Sequence, residues 1–249
     1  MKRITQISIL LSLMLLFAGA NLTAQELKKS YHESFDVKED AELRISNKYG
    51  QVHIDTWDKN QLVIDVEISV DARSEKESQR ILDKINVTIS GTADLVKAIT
   101  TFDGKLNCNN CNMEIEYEVK MPASNALVLD NEFGNACVGD LSGNTQIKIG
   151  YGNIELGKLS AKKNNIIVKF GDAEIDFLRA ADLTIEYGSM DLGKAGYLNV
   201  YSRFSSIEIG GVSELDLDSQ YDGLEIGSVD NMRAKTSFSA LEIAEVFDK

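Results

Sequence analysis

One aromatic position returns through the second half of this chain at nearly constant spacing. The series Phe133, Tyr151, Phe170, Tyr187, Phe204, Tyr221 and Phe238 advances in steps of 18, 19, 17, 17, 17 and 17 residues. Each ring is followed by a small or polar residue, often glycine, and then by an apolar–any–apolar triplet. Tyr151-Gly-Asn-Ile-Glu-Leu, Tyr187-Gly-Ser-Met-Asp-Leu and Tyr221-Asp-Gly-Leu-Glu-Ile show the pattern. A unit this short cannot bury a core alone, so copies must stack on one another.

Within each copy, apolar residues alternate ahead of the ring. Ile147 and Ile149, Ile166 and Val168, and Leu183 and Ile185 stand four and two places before it; later copies use Leu198 and Val200 or Leu215 and Leu217. That is the period of a strand with one buried face. A second short strand follows, as in Ile154-Glu-Leu or Leu241-Glu-Ile, with an apolar residue eight places beyond the ring at Leu159, Leu178, Ala195, Val212, Val229 and Val246. At ~3.3 Å per residue such a unit traces a perimeter of roughly 56 Å, enough for two or three short strands and their corners. The predicted fold is all-β: a right-handed parallel β-helix or solenoid with coils of ~17 residues stacked ~4.8 Å apart. Equal positions then form columns. The alternating Phe and Tyr residues are expected to make one interior column, with the small residue after each ring permitting the bend. Propeller blades and leucine-rich repeats are longer, and Gly210-Gly211-Val212-Ser213 lacks the third glycine of a calcium β-roll turn.

The first half carries one early copy of the unit, Leu43-Arg-Ile-Ser-Asn-Lys-Tyr49-Gly50-Gln-Val52-His-Ile54, with Trp57 at the eighth place. An insertion of different character separates it from Phe133. Leu62 to Val70 and Met113 to Met121 alternate as strands, Pro122 closing the second. Asn86–Ser90 and Asp94–Thr100 read as strands with a turn at Gly91. Residues 74–85 predict a helix: Ser74-Glu-Lys-Glu77 is a capping box, and Ile81, Leu82 and Ile85 make an apolar stripe. The expected organisation is therefore a leader over 1–24, an N-terminal β-rich cap with one short helix over 25–122, and solenoid repeats over 123–249. Trp57 is expected to pack inside, under the cap.

The leader rests on Lys2 and Arg3, the apolar run Ile7–Phe17, and the small residues Ala18, Gly19, Ala20 and Ala24. The run is short for a membrane span, although a retained N-terminal anchor is the alternative. No cysteine follows it closely, the first being Cys108, which disfavours a lipid anchor. Removing Lys2 and Arg3 takes the formal charge from −13 to −15. So acidic a chain is a poor partner for nucleic acid or anionic lipid. The chain is expected to be exported to the periplasm, the outer surface or the medium, with no transmembrane segment after the leader.

Cys108 and Cys111 lie in Asn107-Cys-Asn-Asn-Cys-Asn, read as a loop tip. A local disulfide is one reading in an oxidising compartment. A redox pair lacks its βαβ context, and half a zinc site lacks partners, since only Cys137, His32 and His53 remain.

The pattern Ile45-Ser-Asn-Lys-Tyr-Gly-Gln-Val-His-Ile54, the helix over 74–85, the strand ending Val119-Lys-Met-Pro122, and Leu127-Val-Leu-Asp-Asn-Glu-Phe-Gly134 together resemble the secreted putative-adhesin family common in Bacteroidetes. The resemblance spans essentially the whole chain after the leader. It implies an exported β-solenoid without an assigned catalytic activity, and it carries over no functional residues.

Chemistry concentrates in one acidic column. Glu155, Glu174, Asp191, Glu208, Glu225 and Glu242 each occupy the centre of a second strand and should point outward in a row. Such a row is either a solvated face that discourages edge aggregation, or a site for divalent cations such as calcium, or for a basic or sugar-bearing partner. His53 and Cys137 hold this position in the earlier copies, so the acidic run is not continuous. Two carboxylates at such spacing would also suit glycoside hydrolysis, but any ladder meets that distance. Only two histidines exist, and no Ser/His/Asp or Cys/His arrangement can be built from them. The expectation is a non-enzymatic envelope or surface interaction protein with no required cofactor, binding a protein or glycan, with self-association open through its sheet edges.

Overall fold

The computed structural model describes residues 26–106, 108 and 110–247; the leader read over 1–24 lies outside the described residues. Among them, strands dominate and one helix occurs. The strands are β1 (Leu27–Asp36), β2 (Glu42–Lys48), β3 (Val52–Trp57), β4 (Gln61–Asp71), β5 (Ile85–Gly91), β6 (Leu95–Phe102), β7 (Asn112–Pro122), β8 (Ala126–Glu132) and β9 (Ala136–Val138) in the first part. The repeats supply β10 (Thr145–Gly150), β11 (Ile154–Leu159), β12 (Asn164–Lys169), β13 (Ala173–Glu186), β14 (Ser189–Arg203), β15 (Ser206–Gln220), β16 (Gly223–Ser237) and β17 (Ala240–Val246). The helix α1 is Glu75–Leu82.

These strands form two arms that meet at the aromatic corner. The first arm, ahead of each ring, runs β5–β6–β2–β8–β10–β12 and continues into the C-terminal halves of β13 to β16. The second, after each ring, runs β1–β4–β7–β3–β9–β11 and continues through the N-terminal halves of β13 to β16 to β17. From β2 and β3 onward every copy pairs with the next in parallel and in register: Leu183 faces Val200, which faces Leu217, which faces Ala234. The coil of β2, Tyr49 and β3 stacks directly on the coil of β8, Phe133 and β9, although the two lie 84 residues apart. The insertion between them is thus an excursion that returns to the same stack.

The core is a set of columns. Ile147, Ile166, Leu183, Val200 and Leu217 are buried from the first arm, facing Ile154, Ala173, Met190, Ile207 and Leu224 from the second. They form one continuous cluster with the cap residues Ile64, Ile81, Ile115 and Val119. Such columns gain from apolar burial at about 25 cal/mol per Å² and hold register, because a one-residue slip would turn each arm inside out.

The cap extends both arms by changing strand direction. On the second arm β7 continues parallel to β3, then β4 and β1 add antiparallel strands; on the first arm β6 runs parallel to β2, and β5 adds antiparallel to it. Helix α1 starts at Ser74, whose hydroxyl accepts the Glu77 N–H at 3.3 Å, and Ser78 inside it accepts the Ala72 N–H at 3.0 Å. The helix is shorter than the span 74–85 predicted for it. Ile85 leaves it to open β5 as a buried strand residue, because pairing with Phe102 satisfies its backbone there. The turn expected at Gly91 falls one residue later, since Gly91 still pairs with Val96.

A polar knot joins cap to coil. The Tyr117 hydroxyl lies 2.8 Å from Thr100 Oγ1, which donates to Asn47 Oδ1 at 3.1 Å; Asn47 Nδ2 donates to the Ile115 carbonyl at 3.2 Å. Burial pushes the Tyr117 phenol up to about 12, against the opposing pull of its hydrogen bond to Thr100.

The glycine column after the rings has a steric rather than a conformational cause. A Cβ on Gly134, Gly152, Gly171 or Gly188 would sit 1.9–2.1 Å from the carbonyl oxygen of the glycine one coil earlier. At the next corners Ser205, Asp222 and Ser239 replace glycine, and hydrogen bonds fill the space. The buried Asp222 carboxylate accepts from Ser202 Oγ at 2.7 Å, Ser219 Oγ at 2.6 Å and the Ser205 N–H at 2.7 Å.

Gly171→Ala should cost about 1–3 kcal/mol or more in urea unfolding, as overpacking against a fixed backbone does. Gly223→Ala, where nothing lies within 4 Å of the added Cβ, should be near neutral. The folded chain favours the neutral Tyr117 phenol relative to an unfolded value near 10. Its contribution is therefore whole below pH 10 and lost between pH 10 and 12, by about 2–3 kcal/mol. Denaturant titration across that window should show Tyr117→Phe missing this share of the alkaline loss.

Candidate functional site

Contrary to the expected interior column, the aromatic side chains lie outside. Phe133, Tyr151, Phe170, Tyr187, Phe204 and Tyr221 are 40–51% exposed, and Phe238 is 83% exposed. The backbone explains the reversal. The bend falls on the aromatic itself, not on the glycine after it: all eight, Tyr49 included, have φ between 50° and 67°. A left-handed residue breaks the inward–outward alternation and swings its side chain away from the core. An L-residue accepts that region at a cost of roughly 1–2 kcal/mol. What offsets it is the stack. From Tyr49 to Phe238 the ring centroids follow one another at 4.7–5.3 Å with interplanar angles of 1–13°. Each contact contributes about 0.5–1.5 kcal/mol, and every ring inside the stack makes two. The stack is closed at the cap, where Phe102 meets Tyr49 edge-on at 5.7 Å.

Two places beyond the ring a second column hydrogen-bonds from coil to coil. Asn135 Oδ1 accepts the Asn153 N–H at 2.9 Å, Asn153 Oδ1 accepts the Asp172 N–H at 3.0 Å, and Asp172 Oδ1 accepts the Ser189 N–H at 2.9 Å and its hydroxyl at 2.6 Å.

Four places beyond the ring stands the acidic row. Glu155, Glu174, Asp191, Glu208, Glu225 and Glu242 are consecutive register partners and all exposed. The structure brings all six together in one line. It also extends the line through cap strands: Cys137 and His53 follow Glu155, then Glu118 of β7, Asp65 of β4 and His32 of β1. Glu118 and Asp65 were not foreseen. Their outward parity is visible in the alternation of β7 and β4, but nothing local says that β7 docks beside β3.

The cap end of the row is the more strained electrostatically. Glu67 faces Glu116 and Asp65 faces Glu118 across the β4–β7 pair. Burial, then the carboxylates of Glu114, Glu67 and Glu118, raises the Glu116 carboxyl above its usual range. Lys28 relieves Glu67 at 2.6 Å and His32 Nδ1 lies 2.5 Å from Asp65. Burial, then Glu155, Asp55 and Glu118, pushes the Cys137 thiol up, which suppresses the reactive thiolate.

A shallow trough of about 320 Å³ runs along the second arm, lined by Asn153, Asp172, Ser189 and Ser206 on one side and Glu155, Glu174, Asp191 and Glu208 on the other. Among the described residues no three His, Cys, Asp or Glu side chains converge as a metal-binding group. The carboxylates form a line rather than a cage. Cys108 and Cys111 sit as a disulfide pair with Cα atoms 5.3 Å apart. Trp57 is half-buried rather than interior, because its Nε1 reaches the Gln61 carbonyl at 2.7 Å and Lys59 covers its ring. His53 is half-exposed, 3.2 Å from Asp55.

No family model and no curated protein matches the chain. Among solved structures, a putative adhesin from Bacteroides fragilis matches at 14% identity with a TM-score of 0.55, over 88% of this chain and 97% of that one. A putative adhesin from Parabacteroides distasonis matches at 13% identity with a TM-score of 0.48, over 86% and 97% of the respective chains. The likeness to the Bacteroides fragilis structure is one of fold.

Phe170→Ala should lose two ring contacts, about 1–3 kcal/mol by chemical denaturation. Phe170→Gly should be the more stable of the two by about 1 kcal/mol, since glycine accepts the left-handed corner. Neutralising alternate carboxylates (Glu174→Gln with Glu208→Gln) should raise stability by up to about 1 kcal/mol at low salt, and the gain should fade at high salt, as read from melting curves.

Proposed function

We propose that this chain is an exported, non-catalytic, adhesin-like interaction protein. Its binding face is the second arm of the solenoid. The observation that carries the reading is the flat, in-register carboxylate row beside a polar trough, repeated from coil to coil with almost no loop insertion between Tyr151 and Val246. Such a face matches an extended or repeating partner better than a single small substrate, because every coil offers the same group at the same interval. The row selects the partner's chemistry: basic side chains, or a glycan whose hydroxyls or amines donate to carboxylates. The Bacteroides fragilis structure is that of a putative adhesin, and the shared fold supports this reading. Among the described residues no helix is long and apolar enough to cross a membrane. In this reading the partner belongs to the cell envelope or a neighbouring surface.

The same row favours a second reading, a divalent-cation module. Carboxylates spaced one strand apart attract calcium, although calcium sites ordinarily add carbonyl and turn ligands. Here the ion would sit against the row and lower its self-repulsion.

The two readings separate in solution. Saturable binding to envelope extract should weaken with salt and be lost when Glu174, Asp191, Glu208 and Glu225 are changed to Gln or Asn. Equal binding by that variant would remove the row from the site, and degradation of glycans in the extract would replace the reading by an enzymatic one. Calorimetric heat and a higher melting temperature with calcium, both absent in the variant, would establish the cation module instead.

A further inference from the structure

The solenoid ends differently at its two poles. At the cap, Phe102 closes the ring stack edge-on, and β1 and β5 cover the arms with antiparallel strands. At the other pole the last coil consists of the C-terminal half of β16, the corner residue Phe238, and β17. Each strand is paired on one side, and among the described residues nothing pairs with the other. Phe238 stacks on Tyr221 at 5.0 Å and leaves its second face open, at 83% exposure. Ile243 and Val246, whose equivalents Ile226 and Val229 one coil earlier are buried, are 36% and 67% exposed, and Phe247 beside them is 49% exposed. An unguarded strand edge with apolar neighbours is a template for pairing.

The two open edges have opposite polarity and opposite charge. β16 runs toward the corner and carries Arg233 and Lys235; β17 runs away from it and carries Glu242 and Glu245. All four are exposed. Arg233 and Lys235 pair within the chain with Asp216 at 3.6 Å and Asp218 at 3.1 Å, yet their side chains stay 89% and 75% exposed. A twofold axis parallel to the plane of the last coil, half a strand spacing beyond it and in line with the bisector of the corner, would lay each arm on the other arm of a second copy. A strand running toward the corner then meets one running away from it, so both pairings are antiparallel. The same operation brings Phe238 face to face with its counterpart, and the basic pair of each copy over the acidic pair of the other.

We propose that this pole is an isologous interface between two copies of the chain, continuing both arms through antiparallel pairs of β17 with β16 of the second copy. The occupant is a second copy because one symmetry operation satisfies three features together: strand direction, the open ring face and the opposed charges. A head-to-tail contact satisfies none of the ring requirement, since Phe102 blocks the stack at the cap. This inference shares only Glu242, the last carboxylate of the row, with the proposed binding face, which lies along the side of the solenoid.

Sedimentation of the full chain across a concentration series tests it. The chain should reach a dimer and no larger species. Phe238→Gly, which keeps the corner conformation, should weaken association at least about ten-fold, equivalent to 1.4 kcal/mol. Arg233→Glu with Lys235→Glu makes both edges acidic, and Glu242→Lys with Glu245→Lys makes both basic. Each double variant alone should be monomeric, and an equimolar mixture should form a heterodimer. Restored association in the mixture shows that neither variant failed by misfolding. A wild-type chain that stays monomeric at high micromolar concentration overturns the proposal. So do open-ended polymers, or a mixture of folded double variants that does not associate.

Discussion

Everything in this molecule depends on the backbone register that locks each coil to the next at the aromatic corner. The amide of each ring residue donates across the gap to its neighbouring coil: Phe133 to Gly150, Tyr151 to Lys169, Phe170 to Glu186, Tyr187 to Arg203. Those bonds hold a left-handed residue in a position that would otherwise be unfavourable, and they bring the rings within stacking distance. The glycine beside each ring then lets backbone approach backbone where a Cβ would collide. Corner conformation, ring stack and glycine column are three consequences of one close approach between coils.

With register held there, the two arms acquire different roles. The first arm and the inner faces of both carry the apolar columns that stabilise the stack. The outer face of the second arm is free of that duty, and it repeats carboxylates at one-strand intervals. Repetition of charge is unfavourable by itself, and the fold tolerates it because the row is solvated along most of its length. Only near the cap, where β4 and β7 press Glu67 against Glu116, does burial raise a carboxyl and require the help of Lys28.

The cap shows how a solenoid is started. Its strands enter antiparallel, which a short chain segment can accomplish by simple reversal, and β6 and β7 then present parallel edges to β2 and β3. The polar knot of Tyr117, Thr100 and Asn47 lies at that change of direction. It satisfies backbone and side-chain groups that regular columns of leucine and isoleucine would leave bare.

The sequence by itself determined the repeat, the parallel stacking, the apolar columns and the outward acidic row. All of these follow from period-two alternation inside a unit of nearly constant length, which is local information. The helix opened by the Ser74–Glu77 capping box and the early copy around Tyr49 were legible for the same reason. Only the tertiary structure decided that the aromatics face solvent, because spacing reveals a column but not the sign of φ at the residue that makes the corner. Nor could spacing show that the glycines answer to a neighbour's carbonyl, or that Asp222 takes over at a corner through Ser202 and Ser219. The extension of the acidic row to Glu118 and Asp65 likewise required knowing that the chain leaves β3 at Trp57 and returns at Asn112 as β7 to dock beside it. Those are contacts between segments distant in the chain, and their physical cause lies in which edges were left open for pairing rather than in any pattern within the segments themselves.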